Sequence, residues 1–476
     1  MLGEMDSIHV DLYDLAAAAI ASSINASMPI KNIAHANSKS EANINVIPPM
    51  EILSLSNECS SKVSSSFASF DLSNGSVPST NANIDDITSN PQNINSYISS
   101  DKIENNIQIP NKNENFKINS REKQDGTLVT DADGASQQII VDALRAISKE
   151  ITIVGEESFE DERCDSNDNI IQNKKGNFKH KLDCTYDELF FLARNEIQQR
   201  LFDIENHKNE SIDDDDQISY VTANYEKLPC SRVCVYIDPL DGTKNYAKGK
   251  YDSVTILIAI IVDNNPIFGV ICKPFGQIGQ PSLHNSGCFV CYGGTLLKGA
   301  YIAGGGHCQN NQTNAQISKS SISTASSNTI TANKELSQNP SVETPGLAKA
   351  VISRSRAGGV VGKCLDALHS DGILGKDPVL VDGAGEKSLR LIMGTKNEAL
   401  WFFPKPGTSL WDVAAADAIL ISIGGKLTDK KGKRLDYSKK DRLHACNDDG
   451  IIASNDSQIH DACIKIYRDN FSEMED

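Results

Sequence analysis

The chain has 476 residues and a formal net charge of −17, from 63 acidic against 46 basic side chains. That balance argues against a polymeric nucleic acid as partner, because a phosphate backbone calls for stripes of Lys and Arg. It leaves open a small anion whose binding is mediated by metal ions.

No run approaches the ~18 consecutive apolar residues of a membrane span, so no membrane partner is expected. The acidic N-terminus lacks the basic flank of a secretory signal. Twelve cysteines without a small-scaffold spacing suit a reducing compartment, and the sequence reads as cytoplasmic.

In chain order, the Ala-rich run from Leu15 to Ala21 reads as an ordinary first helix within residues 1–31. Residues 32–120 are dominated by Asn, Ser and Ile with no steady period, and residues 309–344 by Ser, Thr and Asn. Neither stretch can bury enough apolar surface to offset its ordering entropy, so both read as disordered inserts. Between Cys164 and Tyr225 the pattern is mixed: Tyr186 to Ile204 is helical in period, and Asp213 to Asp216 is a solvated acidic run. Setting the inserts aside leaves roughly 300 residues, enough for one large two-lobed domain. Its lobes are expected at 121–275 and 276–476.

Asp133 opens a stretch in which Ala135, Ile139, Ile140, Ala143, Leu144 and Ile147 recur at helical spacing. Ile151 to Val154 is a short buried strand ending in Gly155-Glu156-Glu157. Val233 to Ile237 is another, ending at Asp238-Pro239-Leu240-Asp241-Gly242-Thr243. Val254 to Val262 and Ile267 to Ile271, joined by Asp263-Asn264-Asn265-Pro266, predict an antiparallel hairpin. Cys288-x-x-Cys291 with His307-Cys308 raises a zinc reading, but the apolar, Gly-rich strand pattern between favours buried thiols. Gly383-Ala384-Gly385 precedes a helix holding Lys387 and Leu389, and Asp412 heads an Ala-rich helix that stops at Gly424-Gly425. Strands and helices alternate with hairpins mixed in, which predicts an α/β or α+β layered fold.

The informative feature is acidic residues at the exits of buried strands, where a rigid element holds a carboxylate in place. In Asp238-Pro239-Leu240-Asp241, Pro fixes one φ and forces a turn directly after the strand. Two carboxylates three residues apart then converge, and the Leu240 carbonyl offers a further hard oxygen. Oxygen-only clusters of this kind suit hard divalent cations, magnesium above all. Any of these residues alone fits a cap or a solvated loop. Together, Asp133, Glu156, the Asp238/Asp241 pair and Asp412 each sit at an element boundary beside an apolar run.

The set resembles the signature of the magnesium-dependent, lithium-sensitive phosphatase superfamily that contains inositol monophosphatase, fructose-1,6-bisphosphatase and the bisphosphate nucleotidases. Val129 to Asp133, Val154 to Glu157, Asp238 to Tyr246 with Lys248-Gly249, and Trp411 to Ala415 carry the resemblance, with a bisphosphate-nucleotidase flavour in the Lys and Tyr after Thr243. It covers roughly 128–157 and 232–456.

The resemblance implies a two-lobed, layered αβαβα sandwich of the inositol monophosphatase/fructose-1,6-bisphosphatase type. It implies two or three Mg2+ ions on Glu156, Asp238, the Leu240 carbonyl, Asp241 and Asp412. Asp133 and Thr243 are then the pair that takes a proton from the attacking water. Gly242, Ser353, Arg356, Gly383 and Lys387 are expected to contact a small phosphorylated substrate. Arg356 stands where bisphosphate nucleotidases usually have His, and the Lys often found before the Trp-Asp pair is missing at Ser409-Leu410. The implied reaction is removal of the 3'-phosphate of adenosine 3',5'-bisphosphate, or else of the 1-phosphate of an inositol polyphosphate. Lithium inhibition is expected on the same ground.

Overall fold

The computed structural model describes residues 8–41, 120–122, 128–157, 185–207, 227–277, 280–281, 287–303, 347–394, 397–438 and 442–473. The expected insert at 309–344, most of the one at 32–120, and Asp213 to Asp216 lie outside the described residues.

Helix α1 (Leu12–Glu41) begins with the Ala-rich run but continues past residue 31, with Pro29 inside it. Several polar residues along it have buried partners. Ser22, Ser23 and Ser27 donate their hydroxyls to the carbonyls of Ala19, Ile20 and Ile24, a local bond that lets short polar side chains sit inside a helix. Lys31, 1% exposed, donates to the Gly287 carbonyl at 3.0 Å.

The first sheet has six strands: β1 (Thr152–Gly155), β2 (Val233–Asp241), β3 (Thr255–Val262), β4 (Asn265–Lys273), β5 (Phe289–Gly294) and β6 (Gly299–Ala303), in spatial order β6-β5-β4-β3-β2-β1. Only β1 and β2 run parallel among these neighbours. Strands β5 and β6 complete this sheet, so the lobe boundary expected at residue 275 falls inside it. The β3–β4 hairpin forms as read, turning at Asp263 and Asn264, both at positive φ (47° and 66°), as a two-residue turn matched to strand twist requires.

The second sheet holds β7 (Lys349–Ile352), β8 (Val379–Leu380), β9 (Glu398–Phe403), β10 (Lys426–Thr428) and β11 (Ile451–Ser454), in order β8-β7-β9-β11-β10.

Each sheet is covered on both faces, which is why its strands are almost continuously apolar. Val233, Val235 and Ile237 face α1 and two further helices, α2 (Asp131–Ile147) and α3 (Tyr186–His207). Cys234, Tyr236, Leu257 and Ala259 point the other way, against α5 (Ala384–Met393), α6 (Leu410–Ser422) and the near face of the second sheet, including Trp401 and Ala453. The far face, with Ile352, Phe402 and Ile452, packs on α4 (Gly359–Ser370) and α7 (Ser457–Asn470). The expected αβαβα layering results. Cys288 belongs to the first apolar layer and Cys291 to the second, so the two thiols lie on opposite faces of the sheet and cannot share a zinc ion. His307 and Cys308 lie outside the described residues.

The middle layer is tight where α6 crosses β4: a Cβ at Gly269 would lie 2.2 Å from the Ala415 carbonyl oxygen. Gly269→Ala should therefore lower stability by about 1–3 kcal/mol, as overpacking does. Urea unfolding should show a lower midpoint at unchanged slope; an unmoved midpoint would mean that α6 is not pressed against β4.

Candidate active site

The site starts at the only parallel pair of the first sheet. Gly155 lies opposite Ile237, and the next amide, that of Glu156, donates to the Ile237 carbonyl at 3.0 Å. Glu156 is thereby delivered next to Asp238. Gly155 is needed there: a Cβ would fall 2.5 Å from Gln137 Oε1. That amide clamps Glu157 through both backbone groups, accepting from its N–H at 3.1 Å and donating to its C=O at 3.0 Å.

Asp238-Pro239-Leu240-Asp241 differs from the turn expected after Ile237. The strand continues to Asp241 through a bulge, with Asp238 opposite Leu257 and Asp241 opposite Thr255. Pro239 has no N–H for the ladder, so the extra residue is accommodated where a ladder bond is missing anyway. Asp238 Oδ1 accepts the Leu240 amide at 3.0 Å, and Ser136 of α2 donates to the Pro239 carbonyl at 2.9 Å. Past the bulge Gly242, at φ 87°, caps a single helical turn from Thr243 to Tyr246.

Two further carboxylates come from helix starts built alike. Asp133 is the third residue of α2 and accepts from the amide (2.8 Å) and the hydroxyl of Thr130. Asp412 is the third residue of α6 and accepts the Ser409 amide at 2.7 Å. In both, the carboxylate of a capping box fixes the chain entry. Asp133 has a second duty: its Oδ1 accepts from Thr243 Oγ1 at 2.9 Å. The same hydroxyl lies 2.9 Å from the Leu240 carbonyl. Its one hydrogen can serve only one of the two acceptors at a time.

Burial and mutual repulsion dominate the electrostatics. Asp133 is 0% and Asp238 2% exposed. Desolvation pushes Asp133 up to about 7 against the lowering effect of Thr130, with Glu156 and Glu157 adding to the rise. Asp238 is raised far above the carboxylate range by burial and by Glu156, Asp241 and Asp412. Burial, then Asp241, lifts Asp412 to about 8. Asp238 lies close enough to Glu156, Asp241 and Asp412 for their charges to raise it, a repulsion that a bound cation would relieve. Asp241 is held from the opposite side, accepting from Thr255 Oγ1 at 3.0 Å and from the Gly385 amide at 2.8 Å. No group of three or more His, Cys, Asp or Glu side chains among the described residues is already spaced to hold a metal ion. The oxygen-only chemistry and unbalanced charge fit a hard cation, and side-chain rotation about Asp238 would have to complete its shell.

Of these carboxylates, Asp241 and Asp412 stand at the wall of a cleft of about 480 Å³ between the sheets. Asp241, Gly242, Ser353, Arg356, Gly383, Lys387 and Asp412 line it. Glu156, Asp238, Leu240, Asp133 and Thr243 are not among the lining residues and lie behind Asp241. Lys387 is no solvated surface lysine. It is 4% exposed, donates to the Gly383 carbonyl and to Ser353 Oγ (3.3 Å), and lies 4.8 Å over the Trp401 ring. Burial brings its ammonium down to about 8. Arg356 stacks 4.2 Å over Phe403.

Lys244, Lys248, Lys250, Arg354 and Asp382, none of them among the expected substrate contacts, also line the cleft. The spacing of Lys244, Lys248 and Lys250 on so acidic a chain was the available signal.

Residues 98–470 match the inositol monophosphatase family, and the chain belongs to it. Among curated relatives, 3'(2'),5'-bisphosphate nucleotidase 1 of Mus musculus is 28% identical over 232 residues, 49% of this chain and 60% of that protein. The Dictyostelium discoideum protein of the same name is 28% identical over 325 residues, 68% of this chain and 80% of its own. The match thus spans little more than half the length of the mouse relative. A solved IMPase/NADP phosphatase complexed with Mg2+ and phosphate aligns over 74% of this chain and 87% of its own, at 15% identity and a TM-score of 0.40. No helix among the described residues is long and apolar enough to cross a membrane.

A pH dependence follows from Asp412. Its folded value of about 8 exceeds the ordinary 3.8, so between those values the native state holds a proton that the unfolded chain has released. Stability is then fully present below the lower value and declines as pH rises toward the upper one. With a chelator present, the melting temperature should fall across this window, and Asp412→Asn should flatten the fall. A variant as steep as the parent would place the titrating groups elsewhere.

Proposed function

We propose that this chain is a magnesium-dependent phosphomonoesterase that removes the 3'-phosphate of adenosine 3',5'-bisphosphate, giving AMP and phosphate. The single observation that supports it most is the cluster of Asp238, Asp412 and Asp133, each raised by burial and by neighbouring carboxylates, with Thr243 bonded to Asp133 and with Asp241 and Asp412 on a cationic cleft. The Glu156, Asp238, Asp241 and Asp412 side chains and the Leu240 carbonyl would hold two or three ions. Bound there, magnesium supplies Lewis acidity toward the phosphoryl oxygens and makes a coordinated water acidic.

The chain's own residues supply the proton path. When the Thr243 hydroxyl donates to Asp133 Oδ1, its oxygen is free to accept a proton from the attacking water, and its own hydrogen passes to Asp133. Donation to Asp133 also frees the Leu240 carbonyl for a cation. A carboxylate poised near 7 is matched to a general base at neutral pH. The water oxygen then forms a bond to phosphorus as the bond to the 3'-oxygen breaks, and that oxygen leaves with the electron pair and takes a proton from solvent water.

Six cations, Lys244, Lys248, Lys250, Arg354, Arg356 and Lys387, share the cleft with three carboxylates, Asp241, Asp382 and Asp412. That excess beyond one metal-held phosphate supports a substrate with a second anionic group. Arg356, flat against Phe403, presents a planar fork suited to bidentate phosphate bonding.

Phosphate release from adenosine 3',5'-bisphosphate should require magnesium and should fall by about 10²–10⁴-fold in kcat for Asp133→Asn, the range a lost general base commands. Turnover of inositol polyphosphates alone would reassign the substrate; no magnesium-dependent phosphate release from either class would reject the enzyme reading. Magnesium should also raise the melting temperature near neutral pH, through preferential binding to the native site. That rise should be lost in Asp238→Asn.

A further inference from the structure

A second hollow, of about 640 Å³, lies away from the cleft, where α6, β10 and α7 meet. On a chain of net charge −17 its lining reverses sign: Lys426, Lys431, Arg434, Lys465 and Arg468 stand against Asp461 and the buried Asp417. Lys426 is committed to Asp461 at 2.8 Å. Lys431 and Arg468 make only exposed pairs, with Asp449 at 3.0 Å and Asp469 at 3.1 Å. Such solvent-screened pairs yield readily to a better partner. Arg434 hydrogen-bonds to the neutral Asn265 side chain at 3.3 Å and its charge also acts on Asp417 and Tyr437, and Lys465 is exposed.

Asp417 is the second, independent feature. It is 1% exposed on α6, and its Oδ2 accepts from the Tyr437 hydroxyl at 2.9 Å. Its Oδ1 is buried with no hydrogen-bond partner, an arrangement that is costly unless something supplies a donor. Burial lifts its carboxyl to about 7. A ligand for this hollow must therefore bring negative charge for the cations and one hydrogen-bond donor for the carboxylate. Monohydrogen phosphate and singly protonated phosphomonoesters carry both on one group; sulfate at neutral pH has the charge and oxygens but no O–H.

We propose that this hollow is a second anion site, separate from the cleft, which takes a protonated phosphate group and prefers it to sulfate through Asp417. The inner wall belongs to the same scaffold as the cleft. Asp417 is on α6, the helix that begins with Asp412. Tyr437, its partner, packs edge-on against Tyr236 of β2 at 6.0 Å, two residues before Asp238.

The test is equilibrium binding of inorganic phosphate, then sulfate, to the full chain with a chelator present, so that no metal recruits phosphate to the cleft. One saturable phosphate site should persist in Arg356→Ala and Lys387→Ala. It should weaken at least tenfold in the double variant Lys465→Glu, Arg468→Glu, whose changes are exposed and should leave the melting profile intact. Asp417→Asn should bind phosphate and sulfate alike. Loss of all binding in the cleft variants, an isotherm indifferent to the double variant, or non-saturating uptake marking an adventitious ion only, would each overturn the proposal. A chain with no phosphatase activity but with this site intact would reject the catalytic reading and leave this one standing.

Discussion

Repulsion among buried carboxylates is the constraint around which the rest of the molecule is arranged. Glu156, Asp238 and Asp412 are close enough for their charges to act on one another, and Asp241 raises both of the latter two. Taking even one such charge out of water is expensive, and a fold that gathers several must hold them with rigid elements or they would swing apart. Each arrives on a different rigid device: the end of a parallel strand pair, a bulge inside a central strand, and the first turn of a helix. None depends on a long loop. The same backbone rigidity brings the side chains near one another, so that only side-chain rotation, as at Asp238, is left for a cation to direct.

The two helix starts show how a local rule is put to a second use. In an ordinary capping box the acidic side chain only satisfies the backbone at the helix start. Here one oxygen of Asp133 does so through Thr130 while the other receives the Thr243 hydroxyl. The capping bond fixes the carboxylate's orientation before any substrate arrives.

Much of this was legible in the sequence because the signals were covalent or periodic. The apolar strands, the hairpin at Asp263-Asn264 and the acidic residues at element boundaries all follow from patterns of a few residues. What escaped depends on contacts between distant segments. α1 was ended at residue 31 because the Asn- and Ser-rich stretch that begins at Asn32 carries no helical period, whereas the helix runs on to Glu41. Asp238-Pro239 was read as a turn because Pro interrupts a ladder; that a bulge keeps the strand going is decided by Thr255 and Leu257 across the sheet. Lys387 read equally well as a surface lysine, since nothing local reveals that Trp401 and Ser353 enclose it. Cys288 and Cys291 could be separated only once β5 had two buried faces.

The cleft exists because two sheets are docked at short range, and the docking has its own chemistry. Gly385 could carry no side chain, as a Cβ would lie 2.0 Å from Thr255 Oγ1, and one at Gly383 would lie 2.6 Å from the Ser253 carbonyl. This close approach is what lets the Gly385 amide reach Asp241. Immediately after it, Glu386 turns inward and pairs with Lys273 at the end of β4, and also with Arg390, which in turn holds Glu398 at 2.7 Å. All four side chains are buried or nearly so. Buried ion pairs are poor sources of net stability, whereas breaking one partner is severe. Their effect here is therefore on geometry: the chain of charges runs from the first sheet through α5 to the second. Glu386 sits between Gly385, which holds a carboxylate, and Lys387, which faces the cleft. A shift of α5 would disturb both neighbours at once, so the register of one buried pair sets the distance between the carboxylate wall and the cationic wall of the site.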